Sequence, residues 1–162
     1  MTTPSVPTNE AWGMLAEVAG EEREARMRQR YEEMASLPEQ ARVEQMLAMA
    51  RAEYALQDDK LRPFALSRLQ TWLKLEDGAA RAIAASYNAA MSKMPGPQAM
   101  RRVAIDQTLA REFSAGDEAK LRTLAPEVFA GVPIKAAFAS ARQAVSPPEP
   151  AKKGGWWPFK GR

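Results

Sequence analysis

At the C-terminal end of the sequence, three large aromatic side chains stand among basic ones. The residues concerned are Trp156, Trp157, Phe159, Lys160 and Arg162. Each ring can bury roughly 150–250 Å², and at about 25 cal/mol/Å² the set represents on the order of 10 kcal/mol gross. Ordering a flexible chain cancels much of that gain. We therefore predict that these five residues form a partner-binding site of micromolar affinity.

A protein pocket that takes the aromatic side chains as anchors is the favoured target. An anionic membrane surface also suits neighbouring aromatic and basic residues, and its candidate contacts are Ile134, Phe138, Lys152 and Lys153. Nucleic acid could stack on tryptophan, but it is the least favoured partner. The rings could also fold back onto the protein's own body, and a homo-oligomer would raise the avidity of either docking mode.

The sequence contains no cysteine and no histidine. Disulfides, thiol nucleophiles and cysteine-based metal sites are therefore excluded, and the commonest general base is missing as well. Twenty acidic residues keep a carboxylate-based enzyme or a ligand-binding helical bundle open as an alternative. Because no Walker-type glycine loop, D-x-D pair or G-x-S-x-G elbow marks such a site, we predict a non-enzymatic protein with no catalytic residue, cofactor or metal.

Arg102 and Asp106 stand four positions apart, which places them on one face of a helix. We interpret them as a half-buried structural ion pair that fixes the register of the helix, in preference to a ligand site. The nine methionines could mark an adaptable binding groove. Most of them stand at core spacing, so we assign them to packing.

The positive charge of the chain is concentrated near its C-terminal end. Residues 133–162 contain six basic side chains and one acidic one, which leaves 17 basic and 19 acidic residues in the segment 1–132. The net charges are thus +5 and −2. A slightly acidic body argues against a nucleic-acid-binding domain. With no apolar run of membrane-spanning length and no signal-peptide pattern, we predict a cytoplasmic location, with the membrane periphery as the alternative.

The elements that must position these residues are helices. Strong helix formers dominate the composition, and runs of β-branched residues are missing. The connections are short, so we predict an all-α fold, an antiparallel helical bundle or compact helical array of five to six helices. Ser36 and Glu39 are predicted to form a capping box, and Asp77 is predicted to cap a later helix. A helix over residues 98–113 has apolar residues on two faces, which predicts a central position.

The sequence divides into four parts on composition. Residues 1–8 are predicted to be a disordered lead, and residues 9–131 the helical bundle. Residues 132–145 are predicted to form a short amphipathic helix. Residues 146–162 combine a linker of Pro, Gly and Lys with the aromatic and basic docking peptide. From this division we predict an adaptor, assembly or scaffold protein whose body binds or oligomerises; a peripheral membrane protein is the first alternative.

Overall fold

The computed structural model describes the backbone of residues 9–129 and the side chains of residues 11–129. This part of the chain contains helices and no strand. The helices are α1 (Asn9–Gly13), α2 (Gly20–Ala35), α3 (Glu39–Tyr54), α4 (Asp58–Lys74), α5 (Asp77–Met91), α6 (Gly96–Ala110), α7 (Ala115–Leu124) and α8 (Pro126–Phe129), and a 3₁₀ turn (Met14–Glu17) follows α1. The predicted all-α array is confirmed, and its six long helices are α2 to α7.

The largest part of the core lies among α2, α3, α4 and α5, and buried residues of the other helices extend it. Helix α3 packs along α5, and α2 packs along α4. The apolar stripe of α4 points into this core, where Leu61, Ala65, Leu69 and Trp72 are buried. Tyr87 of α5 meets Trp72 edge-on, with ring centroids 5.4 Å apart. The periodicity of α4 thus identifies the inward face of the helix correctly.

The helical conformation is interrupted between the 3₁₀ turn and α2, where Val18 adopts an extended conformation. Arg23 of α2 satisfies the carbonyl groups left open by this break. Its Nε donates to the carbonyl oxygen of Leu15 and its Nη2 to that of Val18, both at 2.8 Å. A third donor, Nη1, lies 3.2 Å from Ser67 Oγ in α4. One arginine therefore joins the N-terminal segment to two long helices.

Arg30, two turns further along α2, holds the same segment. Its Nη1 donates to the carbonyl oxygen of Ala11 at 3.1 Å, and its guanidinium group lies 4.8 Å from the ring centroid of Trp12. Trp12 is fully buried and also contacts the ring of Tyr31. The first helix is thus held by side chains of α2 rather than by continuity of the backbone helix.

The predicted capping box of Ser36 and Glu39 is wrong. The Ser36 backbone is still helical, with φ −85° and ψ −9°, whereas an N-cap residue needs a non-helical backbone. Pro38 has that geometry and is the N-cap of α3, without a side-chain hydrogen bond. The Ser36 hydroxyl instead donates to the carbonyl oxygen of Glu33 at 2.8 Å. It therefore closes the end of α2.

The predicted cap at Asp77 is displaced by one residue. Glu76 is the N-cap of α5, and its carboxylate accepts from the backbone N–H groups of Gly78 and Ala79 at 3.0 and 3.1 Å. These two hydrogen bonds favour the ionised form and lower the pKa of Glu76. A Cβ atom at position 78 would lie 3.1 Å from Glu76 Oε2, so glycine suits this close approach.

The predicted central position of the sixth helix is also wrong. Met100 of α6 is 68% exposed, and Ala104 is exposed as well. The inward face of α6 carries Leu109 together with two charged residues, Arg102 and Asp106. A charged inward face weakens the apolar pattern on that side of the helix, and this is why the pattern misplaced it.

The start of α7 offers a test of these cap assignments. Ser114 Oγ accepts from the backbone N–H of Asp117 at 3.2 Å. Ser114→Ala is expected to lower the free energy of unfolding by about 1 kcal/mol, and Ser114→Gly by only a few tenths. Urea titration followed by circular dichroism measures both values. Ser36→Ala is the matched control, and its free energy of unfolding should stay within about 0.5 kcal/mol of the native value. An equal loss at both serines would contradict the assignment of Ser36 to the C-terminal end of α2.

Candidate functional site

Arg68 of α4 is fully buried and binds two carboxylates. Its Nε lies 3.0 and 3.2 Å from the two carboxylate oxygens of Glu53 in α3, and its Nη2 lies 2.7 Å from Asp106 Oδ1 in α6. Glu53 and Asp106 are buried as well. One guanidinium group therefore links three helices. We refer to Glu53, Arg68, Tyr87, Arg102 and Asp106 as the buried arginine network.

Aromatic rings enclose the Arg68 guanidinium group. Its central carbon lies 4.6 Å from the ring centroid of Tyr87 and 5.1 Å from that of Trp72, within the range of a cation–π interaction. The Tyr87 hydroxyl donates to Glu53 Oε2 at 2.6 Å and lies 3.2 Å from the Tyr54 hydroxyl. Of the three side-chain nitrogens of Arg68, Nη1 alone lacks an acceptor among the described residues. Ring faces and carboxylates thus take the place of water around a buried cation.

The two members of the Arg68–Glu53 pair respond to burial differently. Burial raises the pKa of Glu53, and the Arg68 charge and the Tyr87 hydrogen bond oppose that rise. Burial alone would lower the pKa of Arg68, but Asp106 and Glu53 outweigh it, so this pKa is raised well above the ordinary value. Arg68 is therefore a permanent cation, and the carboxylates around it are its counterions.

The predicted pair of Arg102 and Asp106 is present, with Arg102 Nε 3.3 Å from Asp106 Oδ2. The pair is buried rather than half-buried, because the two side chains are 6% and 1% exposed. The sequence prediction missed Glu53 and Arg68. Arg68 interrupts the apolar stripe of α4 at core spacing, and an unmatched charge in such a stripe is the signal that calls for a buried partner.

Beside the network, α5 and α6 form the floor of an open groove of about 750 Å³, and α7 and α8 form its wall. We refer to it as the α5–α8 groove. Small side chains line the floor at Ala85, Ala89 and Ala99, and the wall is apolar at Leu124 and Val128. Most of its surface is therefore apolar, and its small residues leave room for another chain to approach.

Hydrogen bonds between helices hold the wall of the groove in place. Asn88 Nδ2 in α5 donates to the carbonyl oxygen of Leu124 at 3.2 Å. Gln107 Nε2 in α6 donates to the carbonyl oxygen of Val128 at 2.6 Å. Each bond joins the floor to one of the two wall helices. These bonds hold the wall helices against the floor, and a site that is already formed has a lower ordering cost of binding.

Arg102 belongs both to the buried arginine network and to the lining of the groove. Its Nη2 donates to Asn88 Oδ1, and its guanidinium carbon lies 4.8 Å from the Tyr87 ring centroid. Its Nη1 has no acceptor among the described residues. The groove also contains Arg81 and one carboxylate, Glu127. Two arginines and one glutamate give its lining an excess of positive charge.

The predicted docking residues lie outside the described part of the chain. They are Trp156, Trp157, Phe159, Lys160 and Arg162 for the partner-binding peptide, and Ile134, Phe138, Lys152 and Lys153 for the membrane contact. The parts 1–8, 132–145 and 146–162 of the predicted domain division lie outside it as well. Of the predicted site residues, the structure describes Arg102 and Asp106.

Among residues 11–129, no group of three or more acidic side chains could hold a metal ion. The buried carboxylates of Glu53 and Asp106 are each bound to arginine, and Glu127 is the carboxylate that lines the groove. Comparison with known proteins finds no matching family, no similar curated protein and no similar solved structure.

Proposed function

We propose that this chain is a protein-binding adaptor whose helical body receives a segment of a partner in the α5–α8 groove. The observation that carries the proposal is the groove itself, open, mostly apolar and about 750 Å³ in volume. An amphipathic helix that lays its apolar face into such a groove is a common mode of peptide recognition.

The form of the groove favours a partner chain over a small molecule. Sites for small ligands enclose most of the ligand surface, whereas this groove is open along its length. Ala85 and Ala89 stand one helical turn apart on α5, and Ala99 faces them from α6. Side chains this small let the backbone of a second helix approach closely. A partner helix is therefore the best match to the shape.

The C-terminal peptide gives the same chain a second proposed binding element. Its rings at Trp156, Trp157 and Phe159 follow a stretch rich in Pro, Gly and Lys, a composition typical of a linker. A groove and a tethered peptide on one chain could bridge two partners, or bind one partner at two points with increased avidity. This is the property that an adaptor requires.

Blocking the groove is expected to abolish the binding of one class of partners. Ala85→Trp fills the exposed floor of the groove, whereas Ala119→Trp places the same ring on an exposed position of α7 outside its lining. In affinity capture by the full chain, we expect partners that the native and Ala119→Trp proteins retain and the Ala85→Trp protein loses. Calorimetry with each purified partner should then show at least a roughly tenfold weaker Kd.

The C-terminal peptide is tested in the same experiment. The double variant Trp156→Ala/Trp157→Ala should lose a different set of partners and retain those of the groove. Identical partners on all four proteins would contradict the proposal, because neither element would then contribute to binding.

A second candidate function is peripheral membrane binding, favoured by the net charge of +5 in residues 133–162. None of the helices described between residues 9 and 129 has the length and apolarity to cross a bilayer. Co-sedimentation with phosphatidylserine vesicles, compared with phosphatidylcholine vesicles, separates the two functions. Sedimentation with the anionic vesicles that the double tryptophan variant loses would favour the membrane role of the C-terminal peptide.

A further inference from the structure

We infer that the α5–α8 groove selects a partner helix that carries a carboxylate side chain within its apolar face and pairs that carboxylate with Arg102. The inference rests on the proposed function, because it specifies the chemistry of the partner that the groove receives. It commits to an acidic amphipathic helix of another protein.

The first support is the environment of Arg102. The side chain is 6% exposed, yet it lines the groove. Asp106 Oδ2 and Asn88 Oδ1 accept from Nε and Nη2, and Nη1 has no acceptor within the described part of the chain. Nη1 is not one of the buried donors that lack a partner among the described residues, so it is open to the groove. A carboxylate from a partner would satisfy it with a charge-assisted hydrogen bond.

The second support is how Asp106 is shared. Its Oδ1 lies 2.7 Å from Arg68 Nη2, whereas its Oδ2 lies 3.3 Å from Arg102 Nε. Arg68 also holds Glu53, so both buried carboxylates lie closest to Arg68. Arg102 therefore receives the weaker share of the counterions, although it is the arginine that faces the groove. The charge that the network compensates least lies where a partner can reach it.

The third support is the charge around Arg102. Arg81 is an exposed residue of the groove. It interacts electrostatically with Glu76, and the neighbouring carboxylate of Asp77 pairs with Lys120. Glu127 is the only carboxylate among the described residues of the lining. Complementary charge selects partners and suppresses wrong ones, so a partner with a negative charge is favoured and one with a positive charge at this point is rejected.

The fourth support is the spacing of the small residues, which indicates a helix as the occupant. Arg81, Ala85 and Ala89 form a row of every fourth residue on α5. Such rows are the ridges and grooves through which helices pack. On α6, Ala99 and Arg102 are one turn apart. A helix lying along these rows would present its side chains to the small residues and to Arg102 together.

Three synthetic peptides test the inference with the full-length protein. Each is an amphipathic helix with a Leu and Ala face, and the centre of that face carries Glu, Gln or Lys. Fluorescence anisotropy gives the Kd of each peptide. We expect the Glu peptide to bind about tenfold more tightly than the Gln peptide, the Lys peptide to bind more weakly than both, and Ala85→Trp to abolish the binding of the Glu peptide.

Arg102→Gln would remove the proposed partner of the carboxylate, but it would also remove a member of the buried arginine network and so affect folding. Two variants outside that network avoid this problem. Arg81→Gln and Glu127→Gln change exposed residues instead. Arg81→Gln should reduce the preference for the Glu peptide, and Glu127→Gln should strengthen its binding about two- to threefold. If the groove recognised only the shape of the peptide, Arg81→Gln would leave the preference for the Glu peptide unchanged and Glu127→Gln would leave its Kd unchanged.

Equal binding of all three peptides, with loss on Ala85→Trp, would overturn the inference and leave the proposed function standing. Failure of all three peptides to bind would overturn it too. If, in addition, Ala85→Trp leaves every captured partner bound, the proposed function of the groove fails as well. The two failures are therefore distinguishable.

Discussion

Arg68→Met is expected to lower the free energy of unfolding by about 3–5 kcal/mol, the cost of removing one partner from a buried ion pair. The substitution leaves the carboxylates of Glu53 and Asp106 buried with their hydrogen bonds to Arg68 missing. Methionine fills a similar volume, so the loss reports the charges rather than a cavity. Urea denaturation followed by circular dichroism at neutral pH measures the difference.

The pH dependence of this variant identifies its cause. Burial raises the pKa of Glu53, and Arg68 opposes that rise, so removing Arg68 raises the pKa further. The folded variant then binds a proton that the unfolded chain, with a carboxyl pKa near 4.5, has released. Its stability is therefore expected to fall as the pH rises above about 5, with a slope of up to ~1.4 kcal/mol per pH unit.

Two further variants control the Arg68 prediction. Arg68→Met/Glu53→Gln should lose most of this pH dependence, because the titrating group is gone. Arg62→Met lies on the same helix but removes an exposed pair with Glu112, so it should cost less than about 1 kcal/mol. Equal losses for Arg62→Met and Arg68→Met, or a flat pH profile for Arg68→Met, would contradict the assigned role of the network.

Trp72→Ala is expected to cost about 3–5 kcal/mol, the usual range for removing a large buried side chain. Trp72 is fully buried. It contacts Tyr87 edge-on at 77° and lies 5.1 Å from the Arg68 guanidinium carbon. Thermal and urea unfolding measure the loss. Met100→Ala, at a residue 68% exposed, should stay within about 0.5 kcal/mol.

The effects of Trp72→Ala and Arg68→Met should not add. The ring of Trp72 faces the guanidinium group that Arg68→Met removes, and residues in contact show coupling of about 0.5–3 kcal/mol. A double-mutant cycle measures this term. Strict additivity would mean that the ring and the cation stabilise the fold independently, and it would exclude the cation–π contact as a source of stability.

Periodicity predicted the parts of the fold that depend on one helix at a time. The apolar residues of α4, from Leu61 to Trp72, recur at helical spacing, and this spacing alone indicates the buried face of the helix. The caps at Ser36 and Asp77 were predicted wrongly, because several nearby residues can accept the same N–H groups and the backbone angles decide among them. For Ser36 those angles stay helical, so the cap falls to Pro38.

The candidate site depends on contacts between distant residues. Arg68 and Asp106 are separated by 38 positions and Arg68 and Glu53 by 15, so no local pattern joins them. Arg102 and Asp106 were predicted as a pair because they share one helix. The groove has four helices in its lining, and its shape follows from their packing. Tertiary packing therefore decides the site, whereas local sequence decides most helices.

The attachment of the N-terminal segment by Arg23 and Arg30 has a consequence for how its sequence can vary. Both arginines bind backbone carbonyl oxygens, at Leu15, Val18 and Ala11, and every residue type carries that oxygen. These hydrogen bonds therefore depend on the path of the main chain, whereas the buried side chains of Trp12 and Leu15 attach the segment through packing. We therefore expect the exposed positions between Gly13 and Val18 to tolerate substitution better than Trp12 or the two arginines on α2.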